Sequence, residues 1–168
     1  MDPVEKLVIA QEIEHRLLDY WRDVDENGGR NAGSFWTEDA VWEAPARTFK
    51  GRAEIQSFFD WRLKRGDRLA LHVVANLKTV VESPTRAASG WYLILYAADG
   101  VPVQPSKPAE QIAAIEDRWA RSDGGVWLCA HRKFKVLFAG GGALAGPPAA
   151  LGDAAKAQAS KPPTGAKS

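Results

Sequence analysis

Two side chains in this sequence have the types needed for joint acid–base work, Asp25 and His72. Asp25 ends the run Tyr20-Trp21-Arg22-Asp23-Val24-Asp25, in the last turn of an expected helix. At about 100° per residue it lies about 40° from Trp21 and about 20° from Leu18, on the apolar stripe. Asp23 lies about 140° from Leu18 and reads as solvated. An ionised carboxylate facing a core is costly without a cation, hydrogen-bond donors or water. The competing reading is a frayed helix end or a backbone cap, the usual work of Asp at such places.

His72 lies in the run Leu69-Ala70-Leu71-His72-Val73-Val74-Ala75-Asn76-Leu77, which reads as a strand. Alternation puts Leu69, Leu71, Val73, Ala75 and Leu77 on one face, with Ala70, His72, Val74, Asn76 and Lys78 on the other. The mixed face suits a pocket with a polar tip, and it suits solvent equally. Pattern alone favours solvent, because antiparallel sheets often have one wet face. A hydrogen bond from the imidazole to Asp25 would fix its tautomer and stabilise the imidazolium, giving a general base suited to neutral pH. The other histidines, His15 in the helix and His131 in the last strand, show no special role.

A helix and a strand must hold this pair. Residues 4–26 read as an amphipathic helix, with Val4, Leu7, Val8, Leu17, Leu18, Trp21 and Val24 mostly at helical spacing. Asp2-Pro3 fits an N-cap followed by proline at the first helical position. Asn27-Gly28-Gly29 is a stop. Ser34 to Asp39 forms a short segment, and Ala40 to Ala44 a strand. Phe49 to Arg52 reads as a turn. Ala53 to Lys64 is a second helix, with Ile55, Phe58, Phe59 and Leu63 apolar. Leu69–Glu82 and Ala87–Ala97 are strands. Val101 to Ala109 holds three prolines and is a loop. Ile112–Arg121, a turn at Ser122–Gly125 and Val126–Phe138 form a hairpin. This order predicts an α+β fold, with helices on one face of a curved antiparallel sheet. From 139 to 168 the chain is mostly Ala, Gly, Pro, Lys and Ser without an aromatic residue, and reads as a disordered tail.

The chain of 168 residues suits one domain with a real core. Charged residues are 26%, apolar residues 45%, and the net charge is +1. That balance carries no footprint for nucleic acid or an anionic membrane. One cysteine, Cys129, allows no internal disulfide and points to a reducing compartment. The start has acids within its apolar positions, unlike a signal peptide, and no apolar run approaches a membrane span. A cytoplasmic protein is expected. No metal cluster, phosphate loop or nucleotide motif stands out, so cofactor-free chemistry is expected.

Longer stretches resemble a known family. They are Val24-Asp25, Phe35-Trp36-Thr37-Glu38-Asp39-Ala40-Val41-Trp42, Phe49-Lys50-Gly51-Arg52-Ala53-Glu54-Ile55 and Leu71-His72-Val73-Val74-Ala75-Asn76. Ile115-Glu116-Asp117-Arg118-Trp119-Ala120-Arg121, Asp123-Gly124-Gly125-Val126-Trp127 and His131-Arg132 continue the pattern. Together, from residue 4 to about 138, they resemble a SnoaL-like domain of the nuclear transport factor 2 superfamily. The resemblance implies a cone: a strongly bent sheet around helices, with a pocket in its mouth. It is nearest to the branch of scytalone dehydratase and hexachlorocyclohexane dehydrochlorinase. It implies an Asp–His pair at Asp25 and His72, and an assisting arginine at Arg132. Tyr20 stands where the dehydrochlorinase has lysine, a departure from its pattern.

Two functions compete. In the first, the chain is a lyase or isomerase. His72, oriented by Asp25, takes a proton beside an activated carbon, and Arg132 stabilises the developing charge. Pocket walls come from Tyr20, Trp21, Phe35, Trp36, Trp42, Phe58, Trp61, Tyr92, Tyr96 and Trp119, at least half of which are expected to be plain core. A mostly apolar wall suits a hydrophobic cyclic substrate. In the second, the domain is a non-catalytic ligand-binding or subunit-assembly module. The resemblance is compatible with a homodimer or a homotrimer.

Overall fold

The computed structural model describes residues 1–140. The expected tail lies almost wholly outside them. The described chain runs α1 (Pro3–Glu26), a 3₁₀ turn (Ala32–Phe35), β1 (Trp36–Glu43), β2 (Thr48–Lys50), α2 (Arg52–Leu63), β3 (Arg68–Ser83), β4 (Arg86–Asp99), β5 (Gln111–Arg121) and β6 (Trp127–Ala139). The six strands form one sheet in the order β2-β1-β6-β5-β4-β3. All neighbours are antiparallel except β1 and β6, which run parallel, so the sheet is mixed rather than wholly antiparallel. α1 packs on β3 and β6, and α2 on β1 and β2.

α1 starts where its cap dictates. The Asp2 carboxylate accepts the Val4 and Glu5 N–H groups at 2.8 and 2.9 Å, and Glu5 returns a bond to the Asp2 N–H at 2.7 Å. The buried stripe is Ile9, Ile13, Leu17, Tyr20, Trp21 and Val24. Val4, Leu7, Val8 and Leu18 are exposed instead, since the first two turns run uncovered and Leu18 lies on the flank.

The helix stops at two glycines with positive φ, Gly28 at 66° and Gly29 at 76°. A Cβ on Gly28 would meet Leu63 at 2.3 Å, and one on Gly29 would meet Phe59 at 2.4 Å. Glycine is therefore required twice over, for backbone conformation and for the approach of α2. Asp23, expected in solvent, instead ties this turn together. It accepts from the Asn27 side chain at 2.7 Å, and from the Asn31 backbone at 3.1 Å and side chain at 3.0 Å.

Three other elements depart from expectation. β1 begins at Trp36 rather than Ala40, because Trp36 already pairs with Cys129 of β6. The expected turn at Phe49 is partly strand β2, where Phe49 stacks on Trp42 at 4.8 Å and is buried. β3 carries a bulge between Ala75 and Lys78, with Asn76 at φ 54°. The extra residue turns Leu77 to the inner face beside Val74 and sends Lys78 outward, so the simple alternation fails there. The inner face holds His72, and the apolar face with Leu71, Val73 and Ala75 is the outer one.

Candidate active site

Asp25 sits one turn beyond Trp21 on α1, where the helix crosses β3 at the edge of the sheet. An edge strand leaves alternate N–H groups unpaired. The N–H of His72 is one of these, and Asp25 Oδ2 accepts it at 2.8 Å. The other oxygen, Oδ1, lies 2.5 Å from His72 Nδ1. One carboxylate thus grips one histidine at two points, backbone and ring. The side chains are only 12% and 7% exposed, so water competes little for these bonds.

The ring has a third support. Trp21 stacks on it at 4.3 Å with the planes 15° apart. Nδ1 faces the carboxylate and must carry the proton. Nε2 has no hydrogen-bond partner among the described residues, and it is not one of the atoms sealed from solvent. Burial holds the imidazole below 6.5, against the hydrogen bond and charge of Asp25, which push it up; Arg62 and Arg68 lower it further. A neutral ring with a free Nε2 lone pair follows, which is what a general base needs.

Arg132 lies behind Trp21. It is buried, and its Nε and Nη2 bind Asp117 Oδ1 and Oδ2 at 2.7 and 2.9 Å. Its guanidinium is boxed by Tyr20, Trp21, Trp36 and Trp91, with ring centres 5.0 to 5.4 Å away. Asp117 also accepts the Trp91 indole N–H at 2.8 Å. The charge of Arg132 is therefore already matched, and only Nη1 is left without a partner among the described residues. Arg132 is joined to His72 through Trp21, not by contact of its own.

The expected wall residues divide. Tyr20, Trp21, Trp36 and Trp42 are buried together, with Phe35 and Phe59 against Tyr20 and Phe58 against Trp42. Burial pushes the Tyr20 phenol well above its usual range, so it stays protonated. Trp61 packs on Phe58. Trp119 is buried and donates to Ser89 at 2.8 Å, but it lies eight residues along β5 from Gln111, in the row of His72. It belongs to the far end of the core. Tyr92 and Tyr96 do not face the site. Their partners Ala75 and Leu71 stand on the outer face, and both tyrosines point away from His72. The other histidines serve elsewhere: His131 binds Glu43 at 2.7 Å, and His15 contacts Gln11 at 3.1 Å on the surface. The alternative partners for Asp25 are engaged elsewhere, Arg22 near Glu26 and Arg30 on the Asn27 carbonyl.

Arg62 is the residue that reading from sequence missed. It is seven residues after Ile55 and three after Phe59, on the inner stripe of α2. The wheel argument that singled out Asp25 would have found it too. A groove of about 800 Å³ between the start of α1, the β3–β4 turn and Arg121 lies at the opposite end of β3 from His72. Among the described residues no three His, Cys, Asp or Glu side chains converge as a metal site would need. No helix there is long and apolar enough to cross a membrane.

Residues 6–133 match the family model of the SnoaL-like domain, and the chain belongs to that family. Solved structures of the nuclear transport factor 2-like fold share its architecture. A candidate scytalone dehydratase from Novosphingobium aromaticivorans superposes with a TM-score of 0.66 at 20% identity, over 79% of this chain and 86% of that one. ActVI-ORFA from Streptomyces coelicolor gives 0.65 at 14%, over 76% and 96%. A protein of unknown function from Mycobacterium tuberculosis gives 0.67 at 16%, over 79% and 78%. At such identities the likeness is one of fold. No curated protein sequence matches the chain.

The charges facing His72 are Asp25 of α1, Arg62 of α2 and Arg68 of β3. A histidine whose folded value lies below its unfolded one stabilises the fold above 6.5, and this is lost as pH falls through the folded value. NMR titration of the His72 ring should give a midpoint below 6.5, moving up in Arg62→Gln. A wild-type midpoint at or above 6.5, or no movement in the variant, contradicts this electrostatic picture.

Proposed function

We propose that the domain is a small-molecule lyase or isomerase in which His72 is the general base and Asp25 its orienting partner. The observation that carries this reading is the two-point grip of Asp25 on the His72 backbone and ring. Neutral His72 takes a proton at Nε2 from a carbon made acidic by a neighbouring carbonyl or similar group. The C–H electron pair becomes a new double bond. A leaving group then departs with its own bonding pair, or the double bond shifts and the proton is returned to another carbon. In a dehydration the leaving hydroxide takes the proton and leaves as water. Asp25 stabilises the imidazolium between these steps, which is an electrostatic contribution made only while charge is present.

Arg132 takes a supporting part. It holds Trp21, and Trp21 holds the imidazole plane. Its unpartnered Nη1 is sealed from solvent among the surrounding rings, so Arg132 acts through Trp21 rather than on a substrate oxygen. Trp21, Tyr20, Trp36, Trp42 and Phe58 supply an apolar surround that suits a cyclic, largely hydrophobic substrate. All the proposed chemistry runs through side chains. A cytoplasmic location fits the single buried Cys129.

Assembly is a second property with its own observation. On the outer face Val73, Ile94, Ile112 and Phe138 form one row across four strands, flanked by Leu71, Tyr92 and Tyr96. Leu71 is 54% exposed, Tyr92 43%, Tyr96 40% and Phe138 67%. Aromatic side chains cover about 150–250 Å², so this patch shows on the order of 400 Å² of apolar surface. A stable dimer hides about 800 Å² per partner, and the charged rim of Glu116, Arg118 and Lys133 would supply the rest. A second copy of the chain is the proposed occupant, in a homodimer or homotrimer.

Two measurements follow. Deuterium exchange and product formation should be followed by NMR with cyclic ketones and β-hydroxy ketones in heavy water. Asp25→Asn should lose about 10²- to 10⁴-fold in rate and still fold, with its melting temperature lowered by the loss of one of the two bonds to His72. A fully active variant would sink the dyad. In sedimentation velocity the wild type should run as an oligomer and Tyr92→Glu as a folded monomer. A monomeric wild type rejects the sheet face as an interface.

A further inference from the structure

The segment Trp61-Arg62-Leu63-Lys64-Arg65-Gly66-Asp67-Arg68 carries four cations, and three have ordinary positions. Arg65 lies over the Trp61 ring at 5.3 Å. Arg68 binds Asp99 at 3.0 Å. Lys64 caps α2 and is exposed. Arg62 alone turns inward. It is partly enclosed and has neither a hydrogen bond nor an ion pair among the described residues.

Its position follows from the two glycines. Because Gly28 and Gly29 let Leu63 and Phe59 close against them, the last turns of α2 pack just past the C-terminal end of α1, the end that carries Asp25. The Arg62 guanidinium is in electrostatic range of Asp25, Tyr20, Arg68 and the His72 ring. Asp25 attracts it from a distance, with no hydrogen bond or ion pair between the two among the described residues. A guanidinium in the last turn of a helix has a bland explanation, favourable interaction with the helix dipole. That explanation is satisfied by a solvated head, and long arginines normally reach water. An inward one loses hydration, and the distant attraction of Asp25 does not offset this, since burial outweighs it and holds the guanidinium below its ordinary value.

We propose that Arg62 is the anion-binding residue of the dyad site and that the substrate is a cyclic carboxylic acid, its carboxylate on Arg62 and its acidic C–H at His72 Nε2. This deepens the acid–base reading above and rests on it. The planar fork of arginine matches a carboxylate with two parallel bonds. One free guanidinium beside one already paired arginine suits a monoanion better than a phosphate dianion. Holding the carboxylate on a cation also offsets the repulsion it would exert on charge developing at the neighbouring carbon.

The test uses the full chain at a pH where His72 is neutral. Benzoate and 2-naphthoate are compared with benzamide and 2-naphthamide, neutral probes of nearly the same shape, by tryptophan fluorescence and calorimetry. The wild type should bind the carboxylates about tenfold or more tighter than the amides, the range of a charge-assisted bond. Arg62→Gln should lose that excess and keep its amide affinity. Arg62→Lys should keep part of it, and Arg62→Met serves if Arg62→Gln is unstable. Equal binding of acid and amide by the wild type overturns the anion assignment while leaving the dyad intact. A preference that survives the loss of the Arg62 charge overturns the role of Arg62. No binding of any probe overturns the proposal together with the site reading beneath it.

Discussion

A half-buried carboxylate on a helix cannot stay there without donors, and Asp25 finds two on a single residue. The geometry needs an edge. Only because β3 ends the sheet is the His72 N–H turned outward and free to be taken. The same bond joins α1 to β3, covers part of an exposed strand edge and aligns the imidazole. The fold and the proposed chemistry therefore rest on one contact, and that contact fixes which ring nitrogen is left open.

Around it the core is organised as a stack that ends on a buried ion pair. The Arg132–Asp117 pair is fully enclosed and satisfied on both carboxylate oxygens, as a buried pair must be to be tolerable. Its guanidinium presents a flat cation to Trp21, and Trp21 presents a flat face to His72. The imidazole is held in plane by this stack and in register by Asp25. Such double restraint would preorganise the proposed base, whereas a histidine held at one point would sample several rotamers.

Much of this was legible in the sequence. Both helices, the long strands and the hairpin follow from periodicity, caps and turns, and helical geometry alone turns Asp25 inward. His72 was harder, because alternation says that two faces differ but not which one is inside. Here the more apolar face is the outer one, which reverses the usual inference and leaves a patch that another surface can cover. Tyr92 and Tyr96 were read into the pocket for the same reason: aromatic type does not report strand facing. The Asn76 bulge hid the facing of Leu77 and Lys78, since Asn is a rare non-glycine that tolerates positive φ. Arg62 was legible by the stripe rule, but only the apolar residues of the second helix were singled out. Asp23 looked solvated because a wheel ignores the loop that folds back over it.

The most direct test is the tautomer of His72, read from ring ¹⁵N chemical shifts at a pH above its titration. The Asp25 contact predicts a protonated Nδ1 and a bare Nε2. A protonated Nε2 with a bare Nδ1 would leave no base facing the substrate side and would contradict the dyad.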